Sequence, residues 1–300
     1  MKPLLALACL LLVVVPLGVY LARSTGASRA RAGRVPPRRV GAAGFLPVAA
    51  VLLYAFLYAP IVVVIVYSFN SARFGSQWAG FTTHWYRTLM QDSLALSAAG
   101  NTLVLGGAST AIATVLGMLL GYGLDRYDFP GKGCFSRLLY IPVFIPDIIM
   151  AVALLLFYSL VRSWLGLFEL GLTTMTLAHV TFQIPFVAIV VRSRLVGLDP
   201  ELEEAARDLG ASEWQTFRRV TLPLVLPGVL AGAMLAFTLS LDDFVVSFFT
   251  SGPGSTTLPI LIYSSVKRGI TPDINALSTL IIVVSFTATV CLAWLQRARR

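Results

Sequence analysis

Charge is what this sequence has least of. Only 12% of its 300 residues are Asp, Glu, Lys or Arg, while 57% are hydrophobic and the mean hydropathy is +0.82. An ordinary soluble domain carries about a quarter of its residues as charges, so this balance excludes one and implies a membrane protein. Cysteine and histidine are scarce as well. Cys9, Cys134 and Cys291 are scattered without metal-binding spacing, and two of them lie in apolar runs where a thiol packs as a small hydrophobe. His84 and His179 are distant in sequence, and His179 at the edge of an apolar run reads as a satisfied structural residue rather than a ligand. Neither H-E-x-x-H nor G-x-S-x-G occurs, which removes the familiar zinc-hydrolase and serine-hydrolase signatures. A phosphate loop is missing too, because "PGKGC" from Pro130 lacks both the upstream glycine and the hydroxyl.

What is abundant is apolar sequence in long stretches. A spanning helix needs about 20 mostly apolar residues. Six runs qualify: Phe45 to Tyr67, Ser97 to Leu124, Leu138 to Leu160, Thr176 to Val191, Leu222 to Leu241 and Ile274 to Leu295, the fourth being the shortest. The net charge of +9 is distributed by side rather than along one face. Seventeen of the 23 basic residues, including Arg34, Arg126, Arg207, Arg218 and Arg297, fall in alternate connecting segments, against five in the intervening ones. That asymmetry places the first group in the cytoplasm, together with the carboxyl terminus, and it excludes a nucleic-acid surface, for which no aromatic-interleaved basic face exists.

Residues 1–40 stand apart. "MKPLLALACLLLVVVPLGVYLA" has the charge and apolar run of a secretory signal, but no convincing cleavage site precedes the arginine cluster. An additional span with its amino terminus outside fits the charges better; a mis-assigned start is the alternative. The linker "ARSTGASRARAGRVPPRRV" separates it from a membrane domain over 41–300.

The most polar passage, residues 199–221, reads as a helical hairpin. Asp199 and Pro200 start a helix whose early Glu201, Glu203 and Glu204 suit the positive end of its dipole. Gly210 supplies a left-handed turn, Ser212 and Gln215 form a capping box for a second helix, and Pro223 marks the approach to the next span. Leu202, Ala205, Ala206 and Leu209 recur at helical spacing, giving a narrow apolar face that another backbone can approach closely. A surface-lying membrane helix would favour lysine and bulky apolar residues instead.

The run Glu204, Ala205, Ala206, three residues, Gly210, nine residues, Val220, Thr221, Leu222, Pro223 resembles the "EAA" signature of bacterial ABC importer permeases, with Val220 where isoleucine is commoner. In that family the hairpin is the coupling helix that seats in the cytoplasmic ATPase. The resemblance extends over roughly 41–300. "YSFNSARFGSQWAGFTTHWY", "IPDIIMAVALLL", "HVTFQIPFV" and "FTLSLDDFVVSFFTSGPGSTTLPILIYSSVKRGITPDINAL" are similar to the smaller permease of spermidine/putrescine importers. It implies an all-α integral membrane protein of type I ABC importer architecture, with a six-helix core and, from residues 1–40, one extra amino-terminal helix. The implied chain is not itself an enzyme: it holds no cofactor, and ATP and Mg belong to a separate ATPase dimer. The other partners implied are a second permease, a periplasmic or lipid-tethered polyamine-binding protein and the lipid of the bacterial inner membrane. Relatives that carry iron, thiamine, sulfate or phosphonate share the hairpin, and a secondary carrier would have no use for it.

Three acids interrupt the apolar runs: Asp147 in the third, Asp242 and Asp243 at the end of the fifth. An ionised carboxylate at a helix centre costs about 2.5–3.5 kcal/mol on insertion scales, so these residues do not face lipid. A linear polycation would exchange its hydration for separated carboxylates, and Phe244, Phe248 and Tyr263 could add cation-π contact. Adjacent helical residues point about 100° apart, so one of Asp242 and Asp243 is expected on the pathway and the other on backbone or a neighbouring helix. Asp147 is either a pathway residue or a helix-end cap in the region broken by Pro142 and Pro146. The outward segments "SQWAGFTTHWYRTL" and "TSGPGSTTLPILIYSSV", the latter with a turn at Gly252 to Gly254, are expected to meet the binding protein.

Overall fold

In a computed structural model of the chain, residues 45–72, 77–269 and 271–298 are described. The segment 1–40, Arg73, Ser76 and the last two arginines lie outside the described residues. The described residues fall into two compact units, one within 1–91 and 265–300 and the other Asp92–Ser264. Among the described residues the structure is helical apart from one isolated bridge between Asn70 and Phe81.

In the first unit, α1 (Phe45–Tyr67) coincides with the first expected span. The chain then turns on Asn70, whose buried side chain donates to Gln77 O (2.8 Å) and accepts from Ala79 N (2.9 Å). Helix α2 (His84–Gln91) is held beneath this turn by Trp85 Nε1 donating to Asn70 O (2.7 Å) and by a 2.6 Å bond between Tyr86 and Ser68 hydroxyls.

The second unit is built around α3 (Ser93–Arg126), a 34-residue helix capped by the Asp92 carboxylate, which accepts from Leu94 N at 2.9 Å. The third apolar run is interrupted in the region where Pro142 and Pro146 suggested a break. Instead of one helix over 138–160 there are α4 (Lys132–Leu138), the single turn α5 (Ile141–Phe144) and α6 (Asp147–Leu165). The physical cause is Pro146: it drives the preceding Ile145 to an extended conformation (φ −73°, ψ 130°), which ends α5 and restarts the helix at Asp147. Next come α7 (Leu172–Leu195), the short helices α8 (Glu201–Asp208) and α9 (Glu213–Thr216), and α10 (Leu222–Asp242). The chain closes this unit with α11 (Val245–Thr250) and enters α12 (Leu258–Arg268). Helix α13 (Pro272–Ala298) returns to the first unit, packing on α1 and α2.

The core of the second unit lies between α3, α7 and α10. Val187, Val191 and Leu195 of α7 are fully buried, with Val225, Val229 and Ala236 of α10 beside them. A methyl group added at Gly117 of α3 would come within 2.7 Å of Val187 Cβ and 2.9 Å of Ile184 O. Only glycine allows the two backbones this approach, and in lipid such close van der Waals packing is the main force joining helices. Five helical segments among the described residues are long and apolar enough to cross a membrane. The sixth expected run falls within the 27-residue α13.

Candidate functional site

The hairpin forms first from local rules. Asp199 Oδ1 accepts from Glu201 N (3.0 Å), α8 runs two turns, and Gly210 takes φ +85° to reverse the chain. Ser212 and Gln215 make the reciprocal capping box, with Gln215 N donating to Ser212 Oγ (3.3 Å) and Ser212 N to Gln215 Oε1 (2.9 Å). The second arm does not stop before the membrane. It runs through a π-helical turn, Phe217–Thr221, directly into α10, with Leu222 N donating to Phe217 O. Pro223 accounts for this widening: it has no N–H to offer Arg219 O, and its ring would strike that carbonyl in a regular α-turn.

Seen residue by residue, Leu202 (48% exposed), Ala205 and Leu209 (89%) present the expected apolar face to the outside, and Glu204 is exposed beside them. Ala206 is half-buried. Trp214 also stands out at 66% exposure, stacked on Phe217 at 5.7 Å. Glu203 is the residue that sequence reasoning underrated. Read there as a dipole partner, it is in fact buried: its Oε1 accepts from Arg126 Nε (3.1 Å) and from Thr221 Oγ1 (2.9 Å).

The second constellation is a cavity of about 340 Å³. Asp147, Asp242, Asp243 and Phe244 all line it, with Pro142, Met150, Phe182 and Phe186 among the other walls, and none of its lining residues is basic. The proline break puts Asp147 on the first turn of α6, where it is exposed. Among the described residues no cation pairs with Asp147 or Asp242. Phe248 and Tyr263 do not line the cavity. They gather around Phe244, with ring centroids 5.3 Å (Phe248) and 4.3 Å (Tyr263) from it. Phe182 and Phe186, one helical turn apart on α7, were not singled out from the sequence; their i, i+4 spacing about Pro185 is the signal that could have found them.

Asp243 is the acid that serves the backbone. Its two oxygens accept from Val246 N (3.2 Å) and Ser247 N (2.8 Å), capping α11. His179 Nε2 lies 3.3 Å from Asp243 Oδ2 and 3.0 Å from Ser247 Oγ, while its Nδ1 is 2.7 Å from Ser240 Oγ. His179 is fully buried. From Ser240 the network continues to Ser109 (3.4 Å) and to Gln183, whose Nε2 donates to Ser109 Oγ (3.2 Å) and Ala236 O (3.1 Å). Helices α3, α7, α10 and α11 are thus tied by one polar chain. A buried polar group lacking such partners costs several kcal/mol in hydrocarbon, so this chain fixes the α10–α11 break firmly.

A scan of known families finds residues 113–299 matching the binding-protein-dependent transport system inner membrane component. The chain belongs to that family. Among curated members it is 46% identical over 238 residues to the spermidine/putrescine transport system permease protein PotC of Escherichia coli K12, covering 79% of this chain and 88% of PotC. It is 42% identical over 252 residues to the putrescine transport system permease protein PotI of the same strain, covering 82% and 90%. The molybdenum transport system permease protein ModB of that strain is 30% identical over 213 residues, covering 66% and 92%. Among solved structures, a chain of a bacterial ABC transporter that imports the acidic polysaccharide alginate superposes with TM-score 0.68 at 21% identity, covering 85% of this chain and 94% of that one. At that identity the likeness shows the fold of an inner membrane component and no more.

Proposed function

We infer that this inner membrane component is the permease subunit of an ATP-driven ABC importer that moves polyamines, spermidine or putrescine, into the cytoplasm. The observation that carries the substrate is the cavity in which Asp147, Asp242 and Asp243 meet with no basic residue. Carboxylates so placed favour a cation carrying several ammonium groups, and they oppose an anion such as sulfate or phosphonate. The likeness to PotC and PotI supports the same cargo.

The exposed Glu204, Ala205 and Leu209, with the half-buried Ala206 between them, support docking to an ATPase, because a secondary carrier has no use for an apolar hairpin face outside the membrane. Leu222 and Pro223 begin the span that the hairpin would drive. In this reading the chain pairs with a second permease as a heterodimer, binds two copies of the ATPase, and receives substrate from a periplasmic or lipid-tethered binding protein. Its carboxyl terminus lies in the cytoplasm of the bacterial inner membrane. ATP and Mg are handled by the ATPase. ATP closes the ATPase pair, the hairpins follow, the pore opens outward, and hydrolysis resets it; no covalent intermediate with this chain is involved.

ModB supports a second reading, an importer for another small solute. Uptake of labelled spermidine into proteoliposomes bearing the whole complex separates the two. The polyamine reading expects ATP-dependent uptake that putrescine inhibits and that sulfate and a phosphonate do not. Absent uptake of both spermidine and putrescine beside intact ATP hydrolysis would reject it.

A further inference from the structure

The two adjacent glutamates of the hairpin face opposite ways. Glu204 is exposed beside the apolar face, whereas Glu203 turns inward with its side chain only 7% exposed. Its Oε1 is shared between Arg126 Nε (3.1 Å), the last residue of α3, and Thr221 Oγ1 (2.9 Å), the last residue of the π turn leading into α10. Arg207, one turn further along α8, reaches Oε2 at 4.0 Å. The guanidinium of Arg126 is fixed from behind by Asp125, through Nη1 to Oδ2 at 2.8 Å. A carboxylate is a costly group to bury, and it is retained here by charge-assisted bonds on two different elements. Nothing in hairpin formation itself requires it: the caps at Asp199 and Ser212 and the turn at Gly210 already close that structure.

We propose that Glu203 is a positioning residue for energy coupling: it latches the docking helix α8 to the ends of α3 and α10, so that a push on the hairpin moves both spans as one body. The proposal rests on the reading that this hairpin docks the ATPase. The mechanical argument is one of compliance. Without the latch, α8 joins α10 only through Gly210, α9 and the π turn, whose hydrogen bonds are poorer than those of an α-helix. A displacement of α8 would then be absorbed in that path. With the latch, the load passes straight from α8 to two helices that pack along their length. Tyr127 Oη, donating to Glu213 Oε2 at 3.2 Å, adds a weaker, exposed tie from the same end of α3 to the second arm.

The test compares substrate moved per ATP hydrolysed in the reconstituted four-component complex. Glu203→Ala is expected to hold the ATPase on the membrane complex and to keep hydrolysis within about twofold of wild type, while uptake per ATP falls roughly tenfold, the scale of one lost charge-assisted bond. Glu203→Gln keeps the volume and an acceptor for both donors but not the charge, and should recover only part of that loss; the near-isosteric Thr221→Val, which preserves packing, separates a lost bond from a packing defect. Thr221→Val removes only the α10 limb and should uncouple partially with assembly intact; it decides the matter if Glu203→Ala does not assemble. Uptake and hydrolysis that fall in proportion in the assembled variants, or that stay unchanged, would overturn the latch. A wild-type complex that neither binds nor hydrolyses ATP would overturn the docking reading beneath it.

Discussion

At the scale of single residues, two neighbouring pairs of acids show how position divides labour that composition leaves open. Asp242 and Asp243 stand side by side in the sequence, yet only Asp243 is consumed by the fold, through two backbone amides and His179. Asp243→Asn loses the charge that these donors share, and His179→Leu strands two serine hydroxyls and the carboxylate. Each is expected to destabilise the detergent-solubilised protein by about 1–3 kcal/mol in thermal unfolding. Asp242→Asn should stay within about 0.5 kcal/mol of wild type, since no ion pair holds that side chain in the described residues. Equal losses in Asp242→Asn and Asp243→Asn would contradict this division. From the sequence, the 100° offset of adjacent residues indicated that the two acids differ but not which is which, because the answer depends on His179, more than 60 positions away. Glu203 and Glu204 divide in the same way, and Arg126, the partner that buries Glu203, is likewise remote in sequence.

At the scale of elements, the hairpin was the most legible part of the chain, because it is built from caps and turns whose rules are local. Asp199, Gly210, Ser212 and Gln215 each do what their residue type favours. The first span was equally legible, as a continuous apolar run. Where proline intervenes, the reading was incomplete: the break about Pro142 and Pro146 was visible, but not that the helix restarts at Asp147, nor that Pro223 is absorbed in a π turn joining the second arm to the span. Both effects come from proline's ring and missing N–H, which hydropathy does not register. The hairpin's dependence on Gly210 gives a sharp expectation. Its φ of +85° is inaccessible to proline, which is locked near −65°, and its N–H donates to Arg207 O at 2.8 Å. Gly210→Pro should therefore abolish uptake and loosen the ATPase from membranes, as judged by co-purification. Unchanged uptake would remove the hairpin from the mechanism.

At the scale of the whole molecule, sparse charge, six apolar runs and a one-sided arginine distribution sufficed to indicate an all-helical membrane chain, and the family match over residues 113–299 agrees with them. The cavity was legible only in part. Its acids were conspicuous in greasy sequence, but Phe182, Phe186 and Met150 became walls only once α7 and α10 folded beside the break after Pro146. That assembly is what brings three separate carboxylates into one cavity, the feature on which the proposed cation path rests. The measurement that bears most directly on it is the concentration dependence of ATP-driven spermidine uptake by the complex carrying Asp147→Asn with Asp242→Asn. The cavity account predicts a KM raised by about tenfold or more, with ATP hydrolysis and ATPase binding retained. Uptake indistinguishable from wild type would take the substrate path out of this cavity.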